Sequence, residues 1–186
     1  MDADEKILEA WKTTIDVQKH FNELELRIRS IAITVLAAFL AATGYAMKEG
    51  MKPLSICALE IPVTSVILIS AAVCWFAFFV MDRFWYHRLL QGAVKHGLAI
   101  EDSVREEFPQ IALTRRIGDE SPITIGKRKF GSSEKMNFFY LSILGLLLTG
   151  ALVAVLNHSE LRRVSATSGI AASHQPKPLT SVTPSK

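Results

Sequence analysis

Three stretches of this 186-residue chain, 31–47, 61–81 and 138–156, contain no Asp, Glu, Lys, Arg or His. They run for 17, 21 and 19 residues. A hydrocarbon core of roughly 30 Å is crossed by about 20 helical residues rising about 1.5 Å each. All three are therefore long enough to span. The only other home for such helices is a large soluble core, and the residues outside the runs are too few and too polar to wrap three of them. The mean hydropathy of +0.26 reflects this concentration of apolar residues in blocks. The expected fold class is an all-α membrane protein with three transmembrane helices, an amphipathic N-terminal helix, a cytoplasmic helical extension and loop, and a disordered C-terminal tail.

The charge distribution predicts the orientation. Lys and Arg number 5 before the first run, 2 between the first and second, 10 in 82–137, and 4 after the third. Three spans thus place fifteen on one side and six on the other, and the side rich in Lys and Arg stays cytoplasmic. This puts the N-terminus inside and the C-terminus outside, with Arg162 and Arg163 opposing the assignment. The first 30 residues are charged and mixed, unlike a cleaved signal, so 31–47 reads as a retained anchor. Cys57 and Cys74, 17 positions apart largely along one helix, stand about 25 Å apart, beyond disulfide reach.

The organisation follows as 1–30, a cytoplasmic amphipathic helix; 31–81, a transmembrane hairpin; 82–137, a cytoplasmic helix and basic loop; 138–156, the third span; and 157–186, a tail disordered at least from Ser165. In the first segment Ile7, Leu8, Trp11, Ile15, Phe21, Leu24 and Ile28 recur at three- and four-residue steps. It either runs directly into the first span or lies along the inner membrane surface, with packing against the cytoplasmic loop as the alternative. His20, Asn22, Glu23, Glu25, Arg27 and Arg29 read as a solvated helix face with local ion pairs. Gly50 and Pro53 mark the turn between the first two spans. Helix-permissive residues from Asp82 carry the second helix into the cytoplasm as far as Gly97. The aromatic triplets Phe84, Trp85, Tyr86 and Phe138, Phe139, Tyr140 lie at one headgroup level. A short amphipathic stretch over 100–108 ends at Pro109, and 110–133 reads as an ordered loop with a small hairpin over 117–129.

Recognisable chemistry is sparse. His87 and His96 are nine positions apart, roughly 180° round one helix, with no completing ligand set, so no metal or cofactor is expected. The steps Gly118 to Gly126 and Gly126-Lys127-Arg128 do not match a phosphate loop, and no Gly-x-Ser-x-Gly occurs. The chain reads as non-enzymatic. Lys127, Arg128 and Lys129 precede the third span and read as a lipid-gripping topology anchor; with Arg115 and Arg116 they form the alternative, a site for an anionic ligand. No motif supports nucleic acid. Small residues, Ala38 and Ala42 in the first span, Gly145 and Gly150 in the third, permit close helix approach within one chain or between copies. The absence of ionisable residues inside the runs disfavours an ion or proton path through one monomer.

The charged lead-in 20–29, the hairpin 31–81 and the continuation 82–97 resemble the SLATT-like small membrane effectors of bacterial conflict and defence systems. The resemblance is architectural and covers about the first half of the chain. It implies an antiviral defence effector whose cytoplasmic part receives an infection signal and whose spans assemble as a homo-oligomer and breach the inner membrane. Ala38, Ala42, Gly145 and Gly150 would then serve assembly, and Arg115, Arg116, Lys127, Arg128 and Lys129 signal or lipid contact. The rival expectation is an accessory or scaffold subunit of a membrane complex, using the same loop to hold a cytosolic partner.

Overall fold

Asp2 starts the first helix by accepting a hydrogen bond from the Ala3 amide at 2.8 Å, while its own amide donates to Glu5 at 3.2 Å. From there α1, Ala3–Lys48, continues for 46 residues. No Gly or Pro interrupts it before Gly44, so nothing separates the amphipathic segment from the span. The computed structural model describes residues 2–56, 59–126 and 128–173. Gly50, with φ of +57°, turns the chain out of α1. A short antiparallel hairpin follows, β1 (Leu54–Ile56) on β2 (Leu59–Ile61), with Ser55 opposite Glu60. The simple turn expected here is thus a paired hairpin, and the second helix begins only after Pro62.

That helix is α2, Val63–Met81, which passes through a π-helical turn, Asp82–Tyr86, into α3, His87–Ser103. The run from Val63 to Ser103 is continuous over 41 residues. It extends past Gly97, the expected end, because Gly97 is a packing position here. A Cβ on it would stand 2.4 Å from Gln18 Nε2 and 3.0 Å from Thr114 Oγ1. After a turn closed by the Phe108 amide on Val104 O at 2.7 Å comes α4, Leu113–Glu120. A second hairpin, β3 (Ile123–Ile125) on β4 (Arg128–Phe130), turns at Gly126 with φ of +63°. The hairpin is therefore shorter than 117–129, and Ile117 is helical. The last helix, α5, runs over Ser132–Ser173, eight residues beyond Ser165, where disorder was expected to begin. The remaining tail lies outside the described residues.

Three of these helices are long and apolar enough to cross a membrane, through α1, α2 and α5. Helix α2 is central, packed on α1 along one side and on α5 along the other. The core stripe is Ala32, Leu68, Ala71, Ala72, Trp75, Met136, Tyr140, Leu147 and Ala151. Small residues on α2 let its neighbours approach. Two polar side chains also cross the α2–α5 seam: Ser65 donates to Ala151 O at 3.0 Å and Trp75 Nε1 to Tyr140 O at 2.9 Å. Elsewhere the spans are inside out relative to a soluble core. Only 17% of the apolar window of α1 is buried, while Ile33, Leu40, Val73, Phe76, Leu146 and Leu152 face outward. At one end, here the head, α1 and α3 continue beyond the apolar windows and carry α4 and the second hairpin. Where head and spans meet, Phe84, Trp85 and Phe138 are exposed in a band, and Tyr140 is turned inward.

Candidate functional site

At the junction of head and spans the three long helices are joined by a buried polar network, and its geometry begins with the π-helical turn. Five residues of α-helix separate side chains by about 140° around the axis, at 3.6 residues per turn. Here the His87 amide bonds back to Asp82 O, a widened i to i+5 turn that brings positions 82 and 87 towards a common face. Both side chains turn inward: Asp82 is fully buried and His87 is 5% exposed. Turns of this kind recur at functional sites.

Helix α1 meets them with Glu25 and Arg29, one helical turn apart in the favourable acid-first order. The Arg29 guanidinium reaches Asp82 Oδ2 through Nε at 2.7 Å and Glu25 Oε2 through Nη2 at 2.8 Å. Helix α5 supplies the Tyr140 hydroxyl, which donates to Asp82 Oδ2 at 3.0 Å. Glu25 Oε1 stands 3.2 Å from His87 Nδ1, and His87 Nε2 stands 2.8 Å from Ser133 Oγ and 3.1 Å from Gln91 Nε2. Two carboxylates thus share one permanent cation in surroundings where unpaired charge is expensive. Asn137, at the same level on α5, buries its Oδ1 with no donor among the described residues.

A second cluster holds the head together. Glu101, near the end of α3 and 2% exposed, accepts from the Thr114 amide at 2.7 Å, the Arg115 amide at 3.0 Å and Trp11 Nε1 at 3.3 Å. The residue preceding α4, Ala112, has no side chain able to cap it, so a carboxylate from another helix takes that role and places negative charge at the helix start. Burial alone would push the Glu101 carboxyl up, but the Thr114 and Arg115 amides, the Thr114 hydroxyl and the Trp11 indole hold it below its usual value of 4.5. Gln18 adds bonds to Ala93 O at 3.2 Å and Thr114 Oγ1 at 3.4 Å.

Glu101→Ala strands three donors, and hydrogen bonds to charged groups contribute about 1.5–3 kcal/mol each. Amide exchange over 113–120 should rise at least tenfold in the variant, with the spans unaffected. Because the folded carboxyl titrates below its usual value, its contribution is complete above that value and is lost as pH falls through the lower folded one. Protection of α4 in the parent protein should therefore hold through neutral pH and fail only in acid below about 4.5.

The residues singled out in sequence are dispersed. Arg115 is half-buried and pairs with Asp102, and Arg116 is exposed on α4. Arg128 and Lys129 lie on β4 opposite Ile125 and Thr124, and Lys127 lies outside the described residues. Ala38, Ala42 and Gly145 face outward, and among the described residues no atom of another element lies within 4 Å of a Cβ added at Gly145. Gly150 alone of the four sits in the core seam, 3.4 Å from Leu68 Cδ1 by the same measure. The contacts within the chain are made instead by Ala32, Ala71, Ala72 and Ala151. Glu25 and Arg29 correct the reading of 20–29 as a solvated face, since Glu25 is 3% exposed and both bond across helices. The signal available for them was the pairing of Glu25 and Arg29 at i, i+4 directly beneath an apolar run, with Asp82 at the corresponding point of the next. Among the described residues no three His, Cys, Asp or Glu side chains are grouped to hold a metal ion. No family model, curated protein or solved structure matches the chain.

Proposed function

We propose that this chain is a non-enzymatic multi-pass membrane effector whose head receives a signal and passes it to its spans. One observation carries the reading: α1 and α2–α3 run unbroken from head to spans and are tied to α5 at their junction by Arg29, Asp82, His87 and Tyr140. A displacement of the head has no loop in which to dissipate before it reaches the spans. The excess of Lys and Arg at the head end supports a cytoplasmic head and N-terminus, with the C-terminus outside the inner membrane. Ala38, Ala42 and Gly145 are not used for packing within the chain and are free to mediate contact between copies. Since no run carries an ionisable residue, the membrane is breached by an assembly and not through one monomer. Arg115, Arg116, Lys127, Arg128 and Lys129 supply the cationic surface for an anionic signal or for lipid headgroups. Antiviral defence, the role of the SLATT-like effectors, is the corresponding biological setting.

Induced expression in bacteria, read with a potential-sensitive dye, tests this. The parent protein should collapse the membrane potential and arrest growth, and Ala38→Leu with Ala42→Leu should relieve both by at least tenfold in surviving cells while the protein stays in the membrane. Unchanged potential and growth, with the genomic neighbours co-expressed, would falsify the effector reading. A cleft of about 380 Å³ lined by Ile7, Leu8, Phe108 and Ile111 favours the second reading, an accessory or scaffold subunit holding a cytosolic partner. Detergent pull-down separates the two, since a scaffold retains a different protein in stoichiometric amount and an effector retains chiefly itself.

A further inference from the structure

The head ends in a groove that the junction does not use. Its walls are Ile7 and Leu8 on the first turns of α1 and Phe108 and Ile111 on the turn between α3 and α4, with Asp4 and Glu5 at its edge, enclosing about 380 Å³. Ligand pockets begin at about 300 Å³, so the groove takes the anchoring side chains of a short segment and not a whole helix face. Its height excludes lipid as the occupant. Ile7 lies 24 residues before Ile31, where the apolar run begins, and that is about 36 Å along the unbroken α1. The pull of headgroup charge fades within a Debye length of about 8 Å. With three spans the C-terminus lies across the membrane from the groove, so the occupant comes from another molecule.

The charge around the groove is one-sided. Glu106 and Glu107 are exposed on the turn directly ahead of Phe108, and among the described residues Asp4, Glu106 and Glu107 have no ion-pair partner. The cations nearby are engaged elsewhere: Arg105 faces Asp102 at 3.9 Å, and Lys6 lines a separate cleft with Glu9 and His96. Asp4 and Glu5 suit the start of α1, where acidic groups complement the helix dipole. Glu106 and Glu107 have no such reason to be there. They follow Ser103, the last residue of α3, and the dipole disfavours negative charge at that end. The helix gains nothing from them, whereas a cationic ligand does.

We infer that this groove is the docking site for a short segment of another protein that carries apolar anchors three or four residues apart with Lys or Arg beside them. The anchors fill the space between α1 and the α3–α4 turn, and the cations face Asp4, Glu106 and Glu107, which sets specificity and the rate of encounter. A segment of this chain has that pattern, Leu113 to Ile117, but Thr114 is buried there and Arg115 is paired with Asp102, so it is already engaged in the head. Because α1 and α3 both run on to the spans, the docked segment bears on the two helices that meet at the junction. This partner is the cytosolic one of the scaffold reading, on which the inference rests, now given a chemistry.

Random twelve-residue peptides displayed on phage, selected on the full chain in phosphatidylcholine nanodiscs and depleted on empty nanodiscs, test this. Enriched peptides should share two apolar residues three or four positions apart and at least two Lys or Arg. A fluorescein-labelled member should bind at least tenfold more weakly to Leu8→Gln, and likewise to Glu106→Gln with Glu107→Gln. All three positions are exposed, so these variants should keep the parent's helix signal. Added salt should weaken binding to the parent more than to the protein lacking both glutamates. No enrichment over empty nanodiscs, enriched peptides that are acidic or uncharged, or equal binding to parent and variants overturns the docking site. Enrichment confined to sequences like Leu113 to Ile117, with dimers of the chain that the peptide dissociates, also overturns it and assigns the groove to a second copy. Peptide binding by a chain that retains only itself in detergent pull-down counts against the scaffold reading and upholds the groove. A retained partner whose recovery is the same in both variants does the reverse.

Discussion

Arg29→Met is expected to destabilise the folded protein by about 3–5 kcal/mol, because it removes the one cation shared by two buried carboxylates. Asp82 is fully buried and Glu25 nearly so. Without Arg29, and among the described residues, Asp82 keeps the Tyr140 hydroxyl as donor and Glu25 keeps His87. The loss is that of stranding two charges, and it exceeds the worth of the pair itself. This gives the measurement a second arm. Adding Asp82→Asn to Arg29→Met removes one stranded charge, so the double variant should recover at least 1 kcal/mol relative to the single one, a coupling within the range seen for residues of one network. Unfolding by a graded denaturing detergent, followed by loss of helix signal, reads both. Additive losses would mean that Arg29 and Asp82 act independently, against their 2.7 Å contact.

Trp75→Ala is the other large effect, again about 3–5 kcal/mol, for a reason confined to packing. Trp75 is 2% exposed in the seam between α2 and α5, its ring centroid 5.1 Å from that of Tyr140 and 5.6 Å from that of Phe139. In lipid the gain on helix association comes from fit, since the tails outside are as apolar as the residues within. A void of indole size therefore forfeits the contact outright, and neighbouring helices cannot close over it without moving Tyr140 off Asp82. Trp75→Phe retains most of the ring and loses only the Nε1 bond to Tyr140 O, a change of about 1 kcal/mol. The ratio of the two losses, measured in the same detergent titration, separates ring packing from hydrogen bonding. Trp75→Ala should also weaken the junction about two helical turns away, which a fall in Arg29–Asp82 coupling would register.

The two variants act at positions of different legibility. Trp75 falls within an uncharged run, so its burial in some helix contact was open to inference, although its partner was not. Arg29 stands among charges at the end of an amphipathic segment, and its local pattern is that of any solvated helix face. What distinguishes it is Asp82, 53 positions away, and the inward turn of Asp82 with His87 depends on a π-helical turn for which residues 82–86 carry no composition signal. The small residues illustrate the same limit. Ala38, Ala42 and Gly145 have the spacing of a close-packed interface, yet within the chain that work is done by Ala32, Ala71, Ala72 and Ala151. Spacing defines a face, while the rotation of the helix decides where the face points.

By itself the sequence determined three apolar runs long enough to cross a membrane as helices and the polar segments between them, because hydropathy and length are properties of a continuous stretch; the helices themselves extend well beyond those runs in α1, α3 and α5. It also contained two local turns, Gly50 and Gly126, whose positive φ is a demand of the backbone itself, whereas α3 ends at Ser103, ahead of the Pro109 stop that the sequence suggests. Only the tertiary structure decided that α2 lies between α1 and α5, that Glu101 caps a helix twelve residues further on, and that Glu25, Arg29, Asp82, His87 and Tyr140 meet. Those outcomes depend on helix rotation, on one widened turn and on charges drawn from distant segments, and the free energy of a buried charge is set by what surrounds it and not by its place in the chain.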